Sequence, residues 1–202
     1  MRGWDFDLTD RCALVKLSPE VNTRDFICGD NEIDAFFRHS YYLYERELLT
    51  KTYAFVTDDA DCRIVCIFTV SNDSVKAGML PSRFRNRLQR RIPNPKRMRN
   101  YPAVLIGQMG VDRCFRGLNV GTQVLNYIKD WFTHPANKTG CRFLIVDAMN
   151  EEKVIDFYRR NGFNLVYDSE DEEKDAFLID RGQHLRQRFM CCDLLREKID
   201  CC

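Results

Sequence analysis

Residues 109–121 read Met-Gly-Val-Asp-Arg-Cys-Phe-Arg-Gly-Leu-Asn-Val-Gly, and their types and order could bind an anion with backbone alone. An apolar run, Tyr101 to Val111, ends in a charged turn, a glycine-bearing loop follows, and Val120, Val124, Ile128 and Trp131 then recur at helical spacing. Such a loop presents its ligand to the first turn of a helix, where free N–H groups and about half a positive charge from the macrodipole converge. A phosphorylated ligand is the chemistry this suits. Gly117 and Gly121 stand where backbone must approach a phosphate or take positive φ. No Gly-Lys-Ser/Thr follows and no full Gly-x-Gly-x-x-Gly occurs, so the loop is neither a Walker loop nor a dinucleotide fingerprint. Taken alone, it also fits a tight strand-to-helix turn that holds nothing.

The elements that must position this loop are legible from periodicity. Cys12 to Leu17 alternates like a strand. Asp30-Asn31-Glu32 offers an N-cap, and Ile33, Phe36, Phe37, Ser40, Tyr41, Tyr44 and Leu48 predict one helix. Lys51 to Thr57 and Cys62 to Ser71 are β-rich runs around Asp58-Asp59-Ala60-Asp61, a hairpin signal. Residues 102–111 predict the next strand and 119–132 an amphipathic helix. Cys141 to Asp147 reads as a strand buried on both faces. Glu151 to Arg160 predicts a helix ended by Asn161-Gly162, and Phe163 to Tyr167 and Arg188 to Leu195 two closing strands. An antiparallel middle followed by alternating strands and helices argues an α/β mixed sheet with helices on its faces.

The 202 residues, 45% hydrophobic and 30% charged with net charge +1, fit one soluble globular domain spanning 1–202, with a basic insertion at about 81–100. Near-zero charge gives no global pointer to nucleic acid or membrane. No apolar run approaches the roughly 18 residues of a membrane span, and Met1-Arg2-Gly3-Trp4-Asp5 does not begin a signal peptide, so a cytoplasmic location is expected. The ten cysteines contain no Cys-x-x-Cys pair. Cys191-Cys192 and Cys201-Cys202 are adjacent, poor geometry for zinc, and Cys62 and Cys66 are spaced to share one strand face. Reduced, mostly buried thiols and no metal site are expected. His39, His134 and His184 carry no spacing that suggests nucleophilic catalysis.

Arg83 to Arg99 holds Arg83, Arg85, Arg87, Arg90, Arg91, Lys96, Arg97 and Arg99 and no acidic residue. It reads either as a solvated, mobile insertion, helical to Arg91 and broken by Pro93 and Pro95, or as a phosphate-tracking surface for tRNA or another polyanion. The acidic stretch Asp168 to Asp175 partly balances it.

Taken together, the β-run ending Gly110-Val111-Asp112, the Arg-Gly-x-x-x-Gly turn and Asp156-Phe157-Tyr158-Arg159-Arg160-Asn161-Gly162-Phe163 resemble the GNAT superfamily of acetyl-CoA-dependent N-acetyltransferases. The family's loop pattern is Gln/Arg-x-x-Gly-x-Gly/Ala. Arg116 fills its first position and Gly121 its last, while Asn119 stands at the middle glycine; Asn is the side chain that best tolerates left-handed backbone. Phe26-Ile27-Cys28-Gly29 is similar to a Phe-x-Cys-Gly segment in the branch containing bacterial toxins that acetylate aminoacyl-tRNA.

The resemblance implies a central, mostly antiparallel sheet flanked by helices, whose fourth and fifth strands splay. It implies acetyl-CoA as donor, with cofactor-binding residues Met109, Gly110, Val111, Arg116, Gly117, Leu118, Asn119, Val120, Gly121, Thr122 and Asn150. The backbone of Met109-Gly110-Val111 would pair with the pantetheine arm, the N–H groups of 116–122 would take the pyrophosphate with Arg116 adding charge, and Met109 or Val111 would hold the oxyanion. Tyr158 matches the tyrosine that gives a proton to the leaving thiolate, although a tyrosine here could also simply pack on the sheet. No carboxylate occupies Ile106-Gly107-Gln108-Met109, where many members carry a basic glutamate. Asp73 and Asp147 are substitutes, or no base is needed because the acceptor is a low-pKa α-amine. The expected function is acetyl transfer to a primary amine by direct attack, with an aminoacyl-tRNA-acetylating toxin of a toxin–antitoxin system as one specific form and a non-catalytic acyl-CoA sensor or RNA-binding module as the rival. A homodimer is compatible with the resemblance.

Overall fold

The computed structural model describes residues 6–18, 20–90, 92 and 99–197. Arg91, Pro93, Pro95, Lys96 and Arg97 of the basic stretch, the side chain of Arg87, and Cys201 and Cys202 lie outside the described residues.

Seven strands run along the chain: β1 (Cys12–Lys16), β2 (Lys51–Thr57), β3 (Ile64–Lys76), β4 (Asn100–Val111), β5 (Phe143–Met149), β6 (Asn164–Leu165) and β7 (Gln187–Asp193). Their order in the sheet is β1-β2-β3-β4-β5-β7-β6. β1–β2, β2–β3, β5–β7 and β6–β7 pair antiparallel, and β4–β5 is parallel. The parallel register runs from Ala103–Phe143 to Leu105–Ile145, whereas β5 stays paired to β7 as far as Met149–Gln187. Among the described residues eight α-helices accompany the strands: α1 (Leu8–Arg11), α2 (Asn31–His39), α3 (Tyr41–Arg46), α4 (Ser82–Gln89), α5 (Val120–Thr133), α6 (Glu152–Arg160), α7 (Glu170–Phe177) and α8 (Leu194–Glu197). This is the mixed α/β sheet with helices that the periodicity predicts.

The chain divides into two compact units, one of residues 1–71 and 106–131, the other of 72–105 and 132–202. In the first, α5 buries Val120, Val124, Leu125 and Ile128 at the predicted spacing. Its Tyr127 and Trp131 meet Phe55 and Tyr53 of β2 edge to face, at 5.1 and 4.9 Å between ring centroids. The single helix expected across 33–48 is instead two. Thr23 Oγ1 donates to the Phe37 carbonyl at 3.0 Å, the acceptor that a continuing helix would reserve for the Tyr41 N–H. Beyond the break Tyr41 turns inward and its hydroxyl bonds the Ser18 carbonyl, while Tyr44 and Leu48 face solvent. Cys62 does not share a strand face with Cys66: it sits exposed in the β2–β3 turn at φ 46°, while Cys66 is buried in β3.

In the second unit, α4 carries the described arginines of the basic stretch on a helix whose Phe84 and Leu88 are buried with Tyr101, Phe143 and Tyr167. The stretch is therefore anchored as far as Gln89 rather than a loose insertion, and Arg83 ion-pairs with Asp168. The strand expected over 163–167 shortens to Asn164–Leu165, and the acidic stretch forms α7, opened by Ser169, whose Oγ accepts from the Glu172 N–H. Glu173 of α7 is buried against Arg188 of β7 (Oε2 to Nε, 2.7 Å) and accepts the Phe189 N–H at 2.5 Å. Arg188 also donates to the Tyr167 carbonyl. Removing one member strands the other charge without water. Glu173→Ala is accordingly expected to lower the unfolding free energy by about 3–5 kcal/mol, measured by urea denaturation; a loss under about 1 kcal/mol contradicts this account of how α7 is fixed.

Candidate active site

The loop after β4 is set by the chain that precedes α2. Ile27 is bonded on both sides: its N–H donates to Asp112 Oδ2 at 3.0 Å, and its carbonyl accepts the Arg113 N–H at 2.9 Å. Asp112, buried, also receives the Cys114 N–H at 2.9 Å, opening a 3-10 turn over Arg113–Phe115, while its own N–H bonds the Val65 carbonyl of β3. From the other side Asp34 of α2, 5% exposed, accepts the Cys28 and Gly29 N–H groups at 2.7 and 3.3 Å. Two buried carboxylates thus hold three consecutive residues, Ile27 to Gly29, against the end of β4.

Gly110 is where this packing is tightest. A Cβ there would lie 2.9 Å from Cys28 Cβ and 3.1 Å from both Cys28 Sγ and Phe26 Cζ, so its lack of a side chain admits these neighbours. Arg116 points the same way: its guanidinium donates to the Cys28 carbonyl and rests on Gly29, whose φ of 82° no ordinary side chain adopts comfortably. Burial pushes the Cys28 thiol up to about 12, which keeps it protonated and a packing group rather than a nucleophile.

Beyond Arg116 the backbone turns left-handed twice, at Gly117 (φ 78°) and Asn119 (φ 59°). Asn119 does adopt the conformation that its glycine counterpart in the loop pattern provides. The first intrahelical bond of α5 runs from the Gln123 N–H to the Asn119 carbonyl, so the N–H groups of Val120, Gly121 and Thr122 have no intrahelical acceptor. Gln123 locks this turn, accepting the Leu8 N–H and donating to the Phe6 and Leu118 carbonyls. Arg116, Gly117 and Asn119 are exposed and Leu118 half-buried. Loop and helix together form an open cradle of donors suited to a phosphate group.

The first unit thus brings Met109 to Thr122 together. Asn150 and Tyr158 belong to the second. Asn150 ends β5, where its amide nitrogen donates to Glu170 Oε1 and to the Leu185 carbonyl, both at 2.8 Å. Both amide protons are thus held within the fold, leaving the carbonyl oxygen for any ligand. Tyr158 lies on α6, 9% exposed, with its ring against Phe157 and Phe163 at 5.2 and 5.3 Å. Gly162, at φ 82°, reverses the chain after α6 and brings the Phe163 N–H to the Tyr158 carbonyl. Asp73 and Asp147 both line a cavity of the second unit. Sequence reasoning missed Asp34 and the anchoring role of Asp112; the available signal was Asp112 at the end of the Gly110-Val111-Asp112 run.

Burial acts to raise the Asp34 carboxyl, but hydrogen bonds from Cys28 and Gly29 and the Arg38 charge outweigh it, leaving the group below its ordinary 3.8. A carboxylate with a lowered folded value contributes its stability above the unfolded value and loses it as pH falls through the folded one. Asp34→Ala is expected to destabilise by about 1–3 kcal/mol at neutral pH, and the gap to the parent to shrink on going to about pH 3. Urea melts at both pH values check this; an equal gap at both contradicts it.

Residues 30–163 match the model of the acetyltransferase (GNAT) family. Among solved structures, a tyrosine-to-phenylalanine mutant of KacT is 21% identical, with 94% of this chain and 99% of that one covered at a TM-score of 0.70. AtaT complexed with acetyl-methionyl-tRNA(fMet) is 17% identical over 95% and 99%, at 0.66. AtaTR bound with acetyl-CoA is 17% identical over 96% and 99%, at 0.64. With two thirds of its length matched by the family model and the cradle in place after β4, the chain belongs to the GNAT acetyltransferases, enzymes that draw their acetyl group from acetyl-CoA.

Proposed function

We propose that this chain transfers the acetyl group directly to the α-amine of an aminoacyl-tRNA. The observation that carries the donor half is the left-handed pair Gly117 and Asn119 in front of the free N–H groups of α5. In this reading the N–H groups of 116–122 hold the pyrophosphate, and the Arg116 charge stays beside it. The backbone of Met109, Gly110 and Val111 runs along the pantetheine arm, with the N–H of Met109 or Val111 stabilising charge on the carbonyl oxygen. The acceptor nitrogen forms its bond to the acetyl carbon as the carbon–sulfur bond breaks. Tyr158 returns a proton to the thiolate through its phenol.

Two observations favour an aminoacyl-tRNA. The end of β4, Ile106-Gly107-Gln108-Met109, carries no carboxylate to deprotonate a lysine. An α-amine of pKa about 8 is about a tenth neutral at pH 7, against less than about a thousandth of a lysine. In addition, Arg85 and Arg90 stand on or just after a helix whose apolar face is buried, a geometry that turns positive charge outward, while Arg83 on the same helix is paired with Asp168. The AtaT structure contains an acetylated methionyl-tRNA, and a further AtaT structure is described as a toxin bound to the C-terminus of its antitoxin. The proposal extends to a growth-arresting role for this chain.

The test is thiol release from acetyl-CoA with a set of aminoacyl-tRNAs. Tyr158→Phe should lower turnover by roughly 10²–10⁴-fold with acetyl-CoA affinity unchanged, and should relieve growth arrest on expression. Full turnover by Tyr158→Phe, or comparable rates on lysine side chains and aminoacyl-tRNA at pH 7, overturns the proposal.

A further inference from the structure

A cavity of about 270 Å³ in the second unit brings together groups that no step above uses. One side is aromatic and continuous: Tyr167, Phe177 and Phe189 meet edge to face, at 5.9 Å between the first two rings and 6.1 Å between the last two. Phe177 is 42% exposed, so part of this aromatic wall is open to solvent. Two carboxylates line the same cavity, Asp73 from β3 and Asp147 from β5, the latter in register beside Phe189 of β7. Asp147 has no hydrogen bond or ion pair among the described residues, and Asp73 receives only the N–H of its neighbour Ser74. The two feel each other: the low-dielectric surroundings first, and the Asp73 charge second, raise the Asp147 carboxyl above its ordinary value. The fold thus keeps two like charges close and unneutralised beside an aromatic wall, with Lys76 the one cation among the described lining residues.

That combination selects its ligand by chemistry. Two carboxylates repel phosphates and acids and attract an ammonium, to which ring faces add a further attraction. The rings also accept an apolar or aromatic side chain. The volume falls below the roughly 300–1,000 Å³ of pockets for drug-sized ligands, enough for one amino-acid moiety but not for a peptide. We propose that this cavity binds the aminoacyl group of the acceptor, with its α-ammonium at Asp73 and Asp147 and an apolar side chain on Tyr167, Phe177 and Phe189. The inference rests on the α-amine reading above and adds to it a preference for acceptors charged with apolar amino acids over acidic ones.

The experiment measures equilibrium binding to the full chain of phenylalaninamide and of 3-phenylpropanamide, which has the same skeleton without the amine. At about pH 6.5 an α-amine of pKa near 8 is almost wholly cationic. The parent should bind the cation at least about tenfold more tightly than the neutral compound, as one charge-assisted contact implies. Asp73→Asn combined with Asp147→Asn should abolish that preference, and Phe177→Ala should weaken both compounds alike. Should the double variant lose its fold, as judged by its melting curve, Asp147→Asn alone, which breaks no side-chain hydrogen bond among the described residues, carries the same test. Equal binding of the two compounds by the parent, or a preference that survives the substitutions, overturns the inference. If thiol release that depends on Tyr158 persists in that case, the cavity assignment alone has failed; if acetyl-CoA supports no transfer at all, the enzymatic reading has failed with it.

Discussion

The loop that makes this chain's donor site depends on one short piece of backbone being held from two sides. Ile27 exchanges both of its backbone hydrogen bonds with the start of the loop, through the Asp112 carboxylate and the Arg113 N–H. The next two N–H groups go to Asp34. An isolated buried carboxylate is expensive, and each of these is made tolerable by two or more backbone donors. The geometry of Gly110, Arg113 and Arg116 follows from that arrangement, since all three are packed on or bonded to residues 26–29. Phe26-Ile27-Cys28-Gly29 is thus a structural partner of the loop, although 81 residues separate Gly29 from Gly110.

Asn119 shows how a family pattern can depart from its consensus without losing its shape. Left-handed backbone costs most side chains about 1–2 kcal/mol, and Asn is among the few for which the cost is small. At φ 59° it delivers the chain into α5 as a glycine would. The price elsewhere is visible in Arg116, whose guanidinium serves the Cys28 carbonyl while its charge remains at the loop. In the second unit, the buried Glu173–Arg188 pair does comparable work, tying α7 to β7 and setting Phe177 beside the cavity.

Much of this was legible in the residues. The apolar stripe of α5, the Asn161-Gly162 stop after α6, the short apolar β5 and the β2–β3 hairpin all follow from local periodicity and turn chemistry, which act over a few residues. What escaped was tertiary. The break between α2 and α3 depends on Thr23, far along the chain from the Phe37 carbonyl it engages. The helix over 170–177 was hidden because its acidic run reads as charge, although Ser169 and Glu172 carry the spacing of a helix start. The strand expected over 163–167 shrank to Asn164–Leu165, the two residues in ladder register with β7, although the Val166 N–H still reaches the Phe189 carbonyl. Likewise the loop pattern announced a phosphate site, whereas the residues that hold it, Asp34 above all, have no local signature. Gly110 was legible as a close approach, but the group that approaches in the structure is Cys28 with Phe26.

The most direct test is an amide-resolved NMR titration of the full chain with coenzyme A, which carries the pyrophosphate, and with pantetheine, which does not. The account predicts that coenzyme A moves the amide resonances of Gly117 to Thr122 and of Met109 to Val111, while pantetheine leaves those of Gly117 to Thr122 in place. Coenzyme A binding that leaves the amides of Gly117 to Thr122 unmoved would contradict it.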